Sequence, residues 1–132
     1  MSGKKRVIFV GLIAVVLVAG AAAVRMVVMQ NRLNRGYAEV SPIELESLRD
    51  GTYRGSFSDF MVMVDLEVDV RDGAIREIRI IRQESGPNHD AAETVDRIVH
   101  DQTPLVDMVS GATGSSKAII IAVHRALTGA GD

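Results

Sequence analysis

The densest chemistry in the chain lies in Asp107-Met108-Val109-Ser110-Gly111-Ala112-Thr113-Gly114-Ser115-Ser116, which holds four hydroxyls and two glycines. It runs directly into an apolar helical pattern from Lys117 to Leu127. A loop of small residues at a helix start brings hydroxyls and backbone N–H groups together. An anion, above all a phosphate, is most easily held there. A plain Gly/Ser turn with a helix cap has the same composition and is common in any protein. Two catalytic readings fail on spacing: the stretch is neither a G-x-S-x-G elbow nor a G-x-x-x-x-G-K-[ST] phosphate loop.

Other reactive side chains form no constellation. His89, His100 and His124 make no H-x-x-x-H or comparable pair, so neither a metal site nor a catalytic residue is assigned. Asp65, Glu67 and Asp69 share one face of a strand pattern, which reads as a solvated face relieved by arginines. The absence of cysteine excludes disulfides, thiolate metal sites, iron–sulfur clusters and a lipoprotein anchor.

The elements that must position the loop divide by charge. Six basic residues and no acidic one lie up to Arg35; beyond it stand nine basic and 17 acidic residues. An acidic body argues against nucleic acid as a partner, and a basic, apolar start argues for a membrane. Lys4-Lys5-Arg6 precedes Val7 to Val24, eighteen residues without a charge. At about 1.5 Å per residue this is roughly 27 Å of helix, close to the apolar thickness of a bilayer. The run exceeds the h-region of a cleaved signal peptide, so an uncleaved signal anchor is the expectation, although Ala21-Ala22-Ala23 resembles a cleavage site. The positive-inside rule then leaves the N-terminal tip in the cytoplasm and the C-terminal domain outside it.

Gln30 to Val40 reads as a helical extension and linker. Ser41-Pro42-Ile43-Glu44 predicts a short helix over 42–48. Thr52 to Phe57 predicts a first strand. Val62, Val64, Leu66, Val68 and Val70 alternate with Met63, Asp65, Glu67 and Asp69, the pattern of a half-buried antiparallel strand. Asp72-Gly73 turns it into a return strand ending at Arg82. Facing Ile78 and Ile80 toward Val68 and Leu66 sets Glu67 opposite Arg79 and predicts a loop of about three residues. Ser85 to Asn88 reads as a loop and 90–101 as a helix. The expected fold class is α+β: an N-terminal transmembrane helix, then a small domain with an antiparallel sheet (hairpin 62–82) and flanking helices. The expected organisation is 1–35 for the basic tip, anchor and extension, 36–49 for the linker and short helix, and 50–128 for the domain.

Asp107-x-x-Ser110-Gly111-Ala112-Thr113 resembles the D-x-x-[S/T]-G-A-T flavinylation motif of FMN-binding domains. A chance match to these five positions somewhere in the chain is on the order of one in ten thousand, from average residue usage. Asp50-Gly51-Thr52-Tyr53-x-Gly55 is similar to the family's opening strand, and the hairpin comes next in the same order. Ser115-Ser116-Lys117-Ala118-Ile119 is similar to the family's segment on the C-terminal side of the motif. Membrane-anchored members include flavoprotein subunits of sodium-pumping NADH:quinone reductases and related ferredoxin-linked complexes.

The resemblance implies that Thr113 bears FMN through a phosphoester. It also implies that Asp107, Ser110, Gly111 and Ala112 form the motif read by a separate FAD-dependent, Mg²⁺-using flavin transferase. Ser115 and Ser116 would complete the cofactor-binding set. Tyr53, Phe57 and Phe60 are the available platforms for the ring. The implied role is electron transfer with redox partner proteins in a membrane complex, without a substrate of its own. The alternative is a module that binds FMN or another phosphorylated ligand noncovalently for sensing or regulation.

Overall fold

The computed structural model describes residues 2–59, 62–84 and 91–129. Helix α1, Gly3–Ala38, runs 36 residues without interruption. It is long and apolar enough to cross a membrane, and its most apolar stretch is not buried by the rest of the protein. Such a surface is unfavourable in water and natural in lipid. The helix continues well past the apolar run, and its last turns bury Met29 and Leu33. The stretch expected to act as extension and linker is thus part of the packed structure.

Three strands come next: β1 (Gly51–Asp59), β2 (Val62–Arg71) and β3 (Ala74–Glu84). They form one antiparallel sheet in the order β1-β2-β3. The alternation in β2 is obeyed: Val64, Leu66, Val68 and Val70 are fully buried, and the intervening side chains are half-exposed. The register also agrees, with Leu66 opposite Ile80, Glu67 opposite Arg79 and Val68 opposite Ile78. The turn is tighter than expected. Arg71 faces Ala74 across the two residues Asp72 and Gly73, and the extra residue is absorbed by an irregularity beside Asp69/Val70. Asp72 and Gly73 both have positive φ, 52° and 71°, as a two-residue hairpin loop of this hand requires. The Asp72 N–H donates to the Asp50 carboxylate at 2.8 Å, which steadies that conformation.

The sheet's outer face carries the expected charge relief. The Arg79 guanidinium donates to Asp69 at 2.8 Å and to Glu67 at 2.9 Å. The Arg79 bond holds the Asp69 carboxyl below its ordinary range, and Thr52 adds to the effect.

The predicted short helix over 42–48 is a single 3-10 turn, Leu45–Ser47. Seven residues are too few to hold an α-helix without tertiary support. Here the segment instead delivers Leu45 to the core and lays Glu46 against Gly73 of the hairpin. Helix α2, Ala91–Asp101, buries Thr94 and Ile98 and half-buries Val95 and Val99. The predicted loop 85–88, the helix start at Asp90 and the ring platform Phe60 lie outside the described residues.

Helix α3, Thr113–Thr128, is the centre of the domain and buries nine of its 16 residues. It lies across the inner faces of β1 and β2, with α2 on one side and the end of α1 on another. Its approach to β1 is close because Gly55 has no side chain; a Cβ there would overlap the backbone at Ala122 and Ala126. Gly129, with φ of 73°, ends the helix in the left-handed conformation. The architecture is α+β, with one helix enclosed between the sheet and the distal turns of the long apolar helix.

Candidate functional site

The segment from Gln102 to Ala112 is fixed at both ends before it reaches α3. Gln102 bonds the backbone of β3 through its side-chain amide. The oxygen accepts from the Ile75 N–H at 2.7 Å, and the nitrogen donates to the Ile75 carbonyl at 2.9 Å. Pro104, Val106 and Val109 are buried along the loop, and Arg97 donates to the Asp107 carbonyl at 2.8 Å. Val109 to Ala112 then form a turn closed by the Ala112 N–H on the Val109 carbonyl at 3.0 Å. Gly111 sits in it at φ of 86°, which a side chain would strain.

The turn delivers Thr113 as the first residue of α3, with its side chain exposed. The first intrahelical bond here runs from the Ser116 N–H to the Ala112 carbonyl at 2.9 Å. The N–H groups of the turn that opens at Thr113 therefore face the helix end, where the dipole is positive. Thr113, Gly114 and Lys117 on α3 and Gln30, Leu33 and Asn34 on α1 line a cleft of about 240 Å³. Lys117 lies one helical turn beyond Thr113, on the same face. Its ammonium donates to Asn34 Oδ1 at 2.6 Å and lies 5.7 Å from the centre of the Tyr37 ring.

The remaining motif residues are placed differently. Ser110 is exposed in the turn, and Ala112 occupies the cap position. Asp107 is exposed, and its backbone carbonyl is engaged by Arg97. Ser115 is half-buried. Ser116 points inward: its hydroxyl lies 3.1 Å from Thr94 Oγ1 and accepts from the Val109 N–H at 3.4 Å. That places Ser116 as the pin between loop, α2 and α3, away from the cleft. Of the seven motif residues, the geometry puts Thr113 in the cleft, with Gly111 and Ala112 leading into it.

A larger hollow, about 360 Å³, lies elsewhere, lined by Arg25, Arg32, Ser58, Asp59, Val62, Met63 and Glu84. Asp59 holds Arg25 at 2.7 Å and Arg32 at 3.4 Å. With Glu84 also present, the two arginines are matched by two carboxylates, and among the described residues the lining carries no net charge. The cleft at Thr113 has the opposite balance, with a cation and a helix N-terminus.

The cleft residues Gln30, Leu33, Asn34 and Lys117 are not part of the sequence motif. Their sequence signal is weak but present. Met29, Leu33, Gly36 and Val40 recur at spacings of four, three and four, the stripe of a helix with one buried face. Lys117 stands four residues after Thr113, which places both on one side of a helix.

A hydroxyl at a helix N-terminus, a glycine turn and an adjoining cation are features that favour an anionic group such as a phosphate. The model of the FMN-binding domain matches residues 60–128, just over half of the chain, and includes the whole loop and α3. The chain belongs to the FMN-binding domain family. Comparison with curated proteins finds none that matches the chain.

The residues present fit FMN at its phosphate end: Gly111 permits close backbone approach, and the α3 N-terminus and Lys117 supply positive potential. The cleft is smaller than the roughly 300–1,000 Å³ usual for whole-ligand pockets. At that volume it can take part of the cofactor.

Proposed function

We propose that the protein is a membrane-anchored electron carrier in which FMN is joined to Thr113 Oγ by a phosphoester. The observation that carries this reading is the exposed Thr113 hydroxyl, set on the first residue of α3 and open to the cleft. A threonine hydroxyl is a weak nucleophile without a base. Among the described residues, neither a carboxylate nor an imidazole lines the cleft. Attachment therefore calls for a separate transferase. The Thr113 Oγ–P bond forms as the pyrophosphate bond of FAD breaks, AMP leaves, and the hydroxyl proton passes to a base of the transferase.

An exposed loop with Asp107 and Ser110 at its surface is well placed to be read by that enzyme. The phosphoester stays anionic, and the helix end, with Lys117 near it, stabilises it.

Bound FMN supplies reversible electron transfer; the domain supplies position and electrostatics. α1 serves as a single-pass anchor in the cell membrane, with Lys4-Lys5-Arg6 in the cytoplasm and the domain outside it. Gln30 lies five residues beyond Arg25, about 8 Å along the helix, so the cleft opens just beyond the apolar span. That height suits redox partner proteins in the same membrane. A covalent tether also keeps the cofactor from diffusing away outside the cytoplasm.

The test is intact mass of the full chain co-expressed with a flavin transferase, beside in-gel flavin fluorescence. The wild type gains one FMN residue, Thr113→Ala gains none, and Ser110→Ala is flavinylated less. Flavin that leaves on denaturation and gel filtration overturns the covalent linkage in favour of a noncovalent module.

A further inference from the structure

Helix α1 is long and apolar enough to cross a membrane, and its distal residues Gln30, Leu33 and Asn34 also line the cleft at Thr113. We propose that the distal turn of α1, through Gln30, Leu33 and Asn34, is the second wall of the flavin site, and that Lys117 is the positioning cation within it. The inference rests on the FMN reading of Thr113.

Thr113 fixes the phosphate end of the cleft at the α3 N-terminus, and the hollow leading from it is bounded by α3 on one side and α1 on the other. A group tethered at Thr113 and seated in this cleft therefore meets α1. The surface it meets is suited to a flavin. Leu33, only 4% exposed, gives an apolar floor, and Gln30 and Asn34 bring side-chain amides that can donate to and accept from a ring edge. Lys117 is already held toward this wall by Asn34.

The wall is also fixed in place. Met29 and Leu33 are buried, and Gly36 lies against Ile121 so closely that a Cβ would come within 2.9 Å of its Cδ1. Asp59, at the end of β1, pairs with Arg25 and Arg32 on the same helix. Contacts before, within and after the turn that carries Gln30 and Asn34 thus set its position. A cation beside the flavin favours the negative charge added on reduction, so Lys117 raises the potential.

The chain has no tryptophan, which supplies a clean probe. An indole in contact with a flavin quenches its emission by electron transfer. The full-length protein, flavinylated by co-expressed transferase and held in detergent, is compared as wild type, Gln30→Trp, Asn34→Trp and Arg35→Trp. Arg35 is exposed and more than a quarter-turn from both cleft positions on the same helix. Intact mass is measured on each, so that emission is expressed per attached FMN.

The expected result is equal adduct in all four forms, with most of the emission lost in Gln30→Trp and Asn34→Trp and retained in Arg35→Trp. Equal emission from all three variants overturns the wall while leaving the covalent reading intact. A wild type without adduct overturns the FMN–Thr113 reading and the wall with it. Lys117→Met is expected to shift the midpoint potential to more negative values, with Lys117→Arg restoring it. An unchanged potential in Lys117→Met removes the lysine from its assigned role.

Discussion

The two halves of α1 are one helix in two environments. From Gly3 to Val28 no side chain is buried, and from Met29 onward the helix packs against α3. The backbone is the same throughout; the pattern of side chains differs. Val7 to Val24 is apolar on every side, a surface that suits lipid and that the rest of the protein leaves uncovered. The later residues are apolar on one stripe and polar elsewhere, which demands a protein partner. The difference shows that the end of the apolar run does not mark the end of the helix's part in the fold. The same helix enters the domain, buries core residues and borders the cleft at Thr113.

That contrast can be broken by substitutions made in pairs, one in each half. Leu33→Ala is expected to destabilise the domain by about 2–5 kcal/mol, as deletion of a packed leucine does. Leu17→Ala, in the exposed half, should leave the domain's denaturant midpoint in detergent unchanged. Equal effects would show that the two halves are not distinct. Gly36→Val is expected to cost about 1–3 kcal/mol, because the new side chain meets Ile121. Gly20→Val, where nothing lies within 4 Å, should cost the domain nothing by the same measurement.

Asp59→Ala sharpens the comparison at the boundary. The Asp59 side chain is fully enclosed, whereas Arg25 and Arg32 reach solvent at 45% and 56% exposure. Removing the carboxylate therefore releases two arginines that water can receive. The expected loss is about 1–2 kcal/mol, less than for stranding a buried charge. Hydrogen exchange should rise along 25–38 and not along 7–24.

The smallest effect concerns pH. His124 on α3 lies 3.5 Å from Ser41 Oγ, where the chain leaves α1. Burial holds its pKa below the ordinary 6.5, with Glu39 opposing and Arg125 reinforcing the shift. The folded state then binds fewer protons than the unfolded state just below pH 6.5. The contribution to stability is present above that value and is lost as pH falls through the window. His124→Gln should flatten the acid side of the stability profile there, measured by thermal melts between neutral and mildly acidic pH.

Much of the molecule is legible without the structure. The hairpin register comes from matching Ile78 and Ile80 to the alternating apolar face of β2 at Val68 and Leu66, and the Glu67–Arg79 pair follows from it. The turn length is not legible, because a sheet absorbs an extra residue as an irregularity that no pattern announces. The loop that runs into α3 is legible as a turn and helix start because its string of small residues precedes an apolar helical pattern, and the structure begins α3 at Thr113. The place of Ser116 is not, since a serine at a helix start reads alike whether it faces solvent or, as here, Thr94.

By itself the sequence determined the membrane-length helix, the half-buried strand and the Asp-Gly turn. Each of these is written in local composition or in a period of two or 3.6, and local forces are enough to produce them. Only the tertiary structure decided that the distal turns of α1 lie beside α3, that Asp59 reaches back to Arg25 and Arg32, and that Lys117 leans on Asn34. Periodicity records that a helix face is buried without recording what covers it. The partner is chosen by shape and charge between segments far apart in the chain, as with Asn34 and Lys117, 83 residues apart.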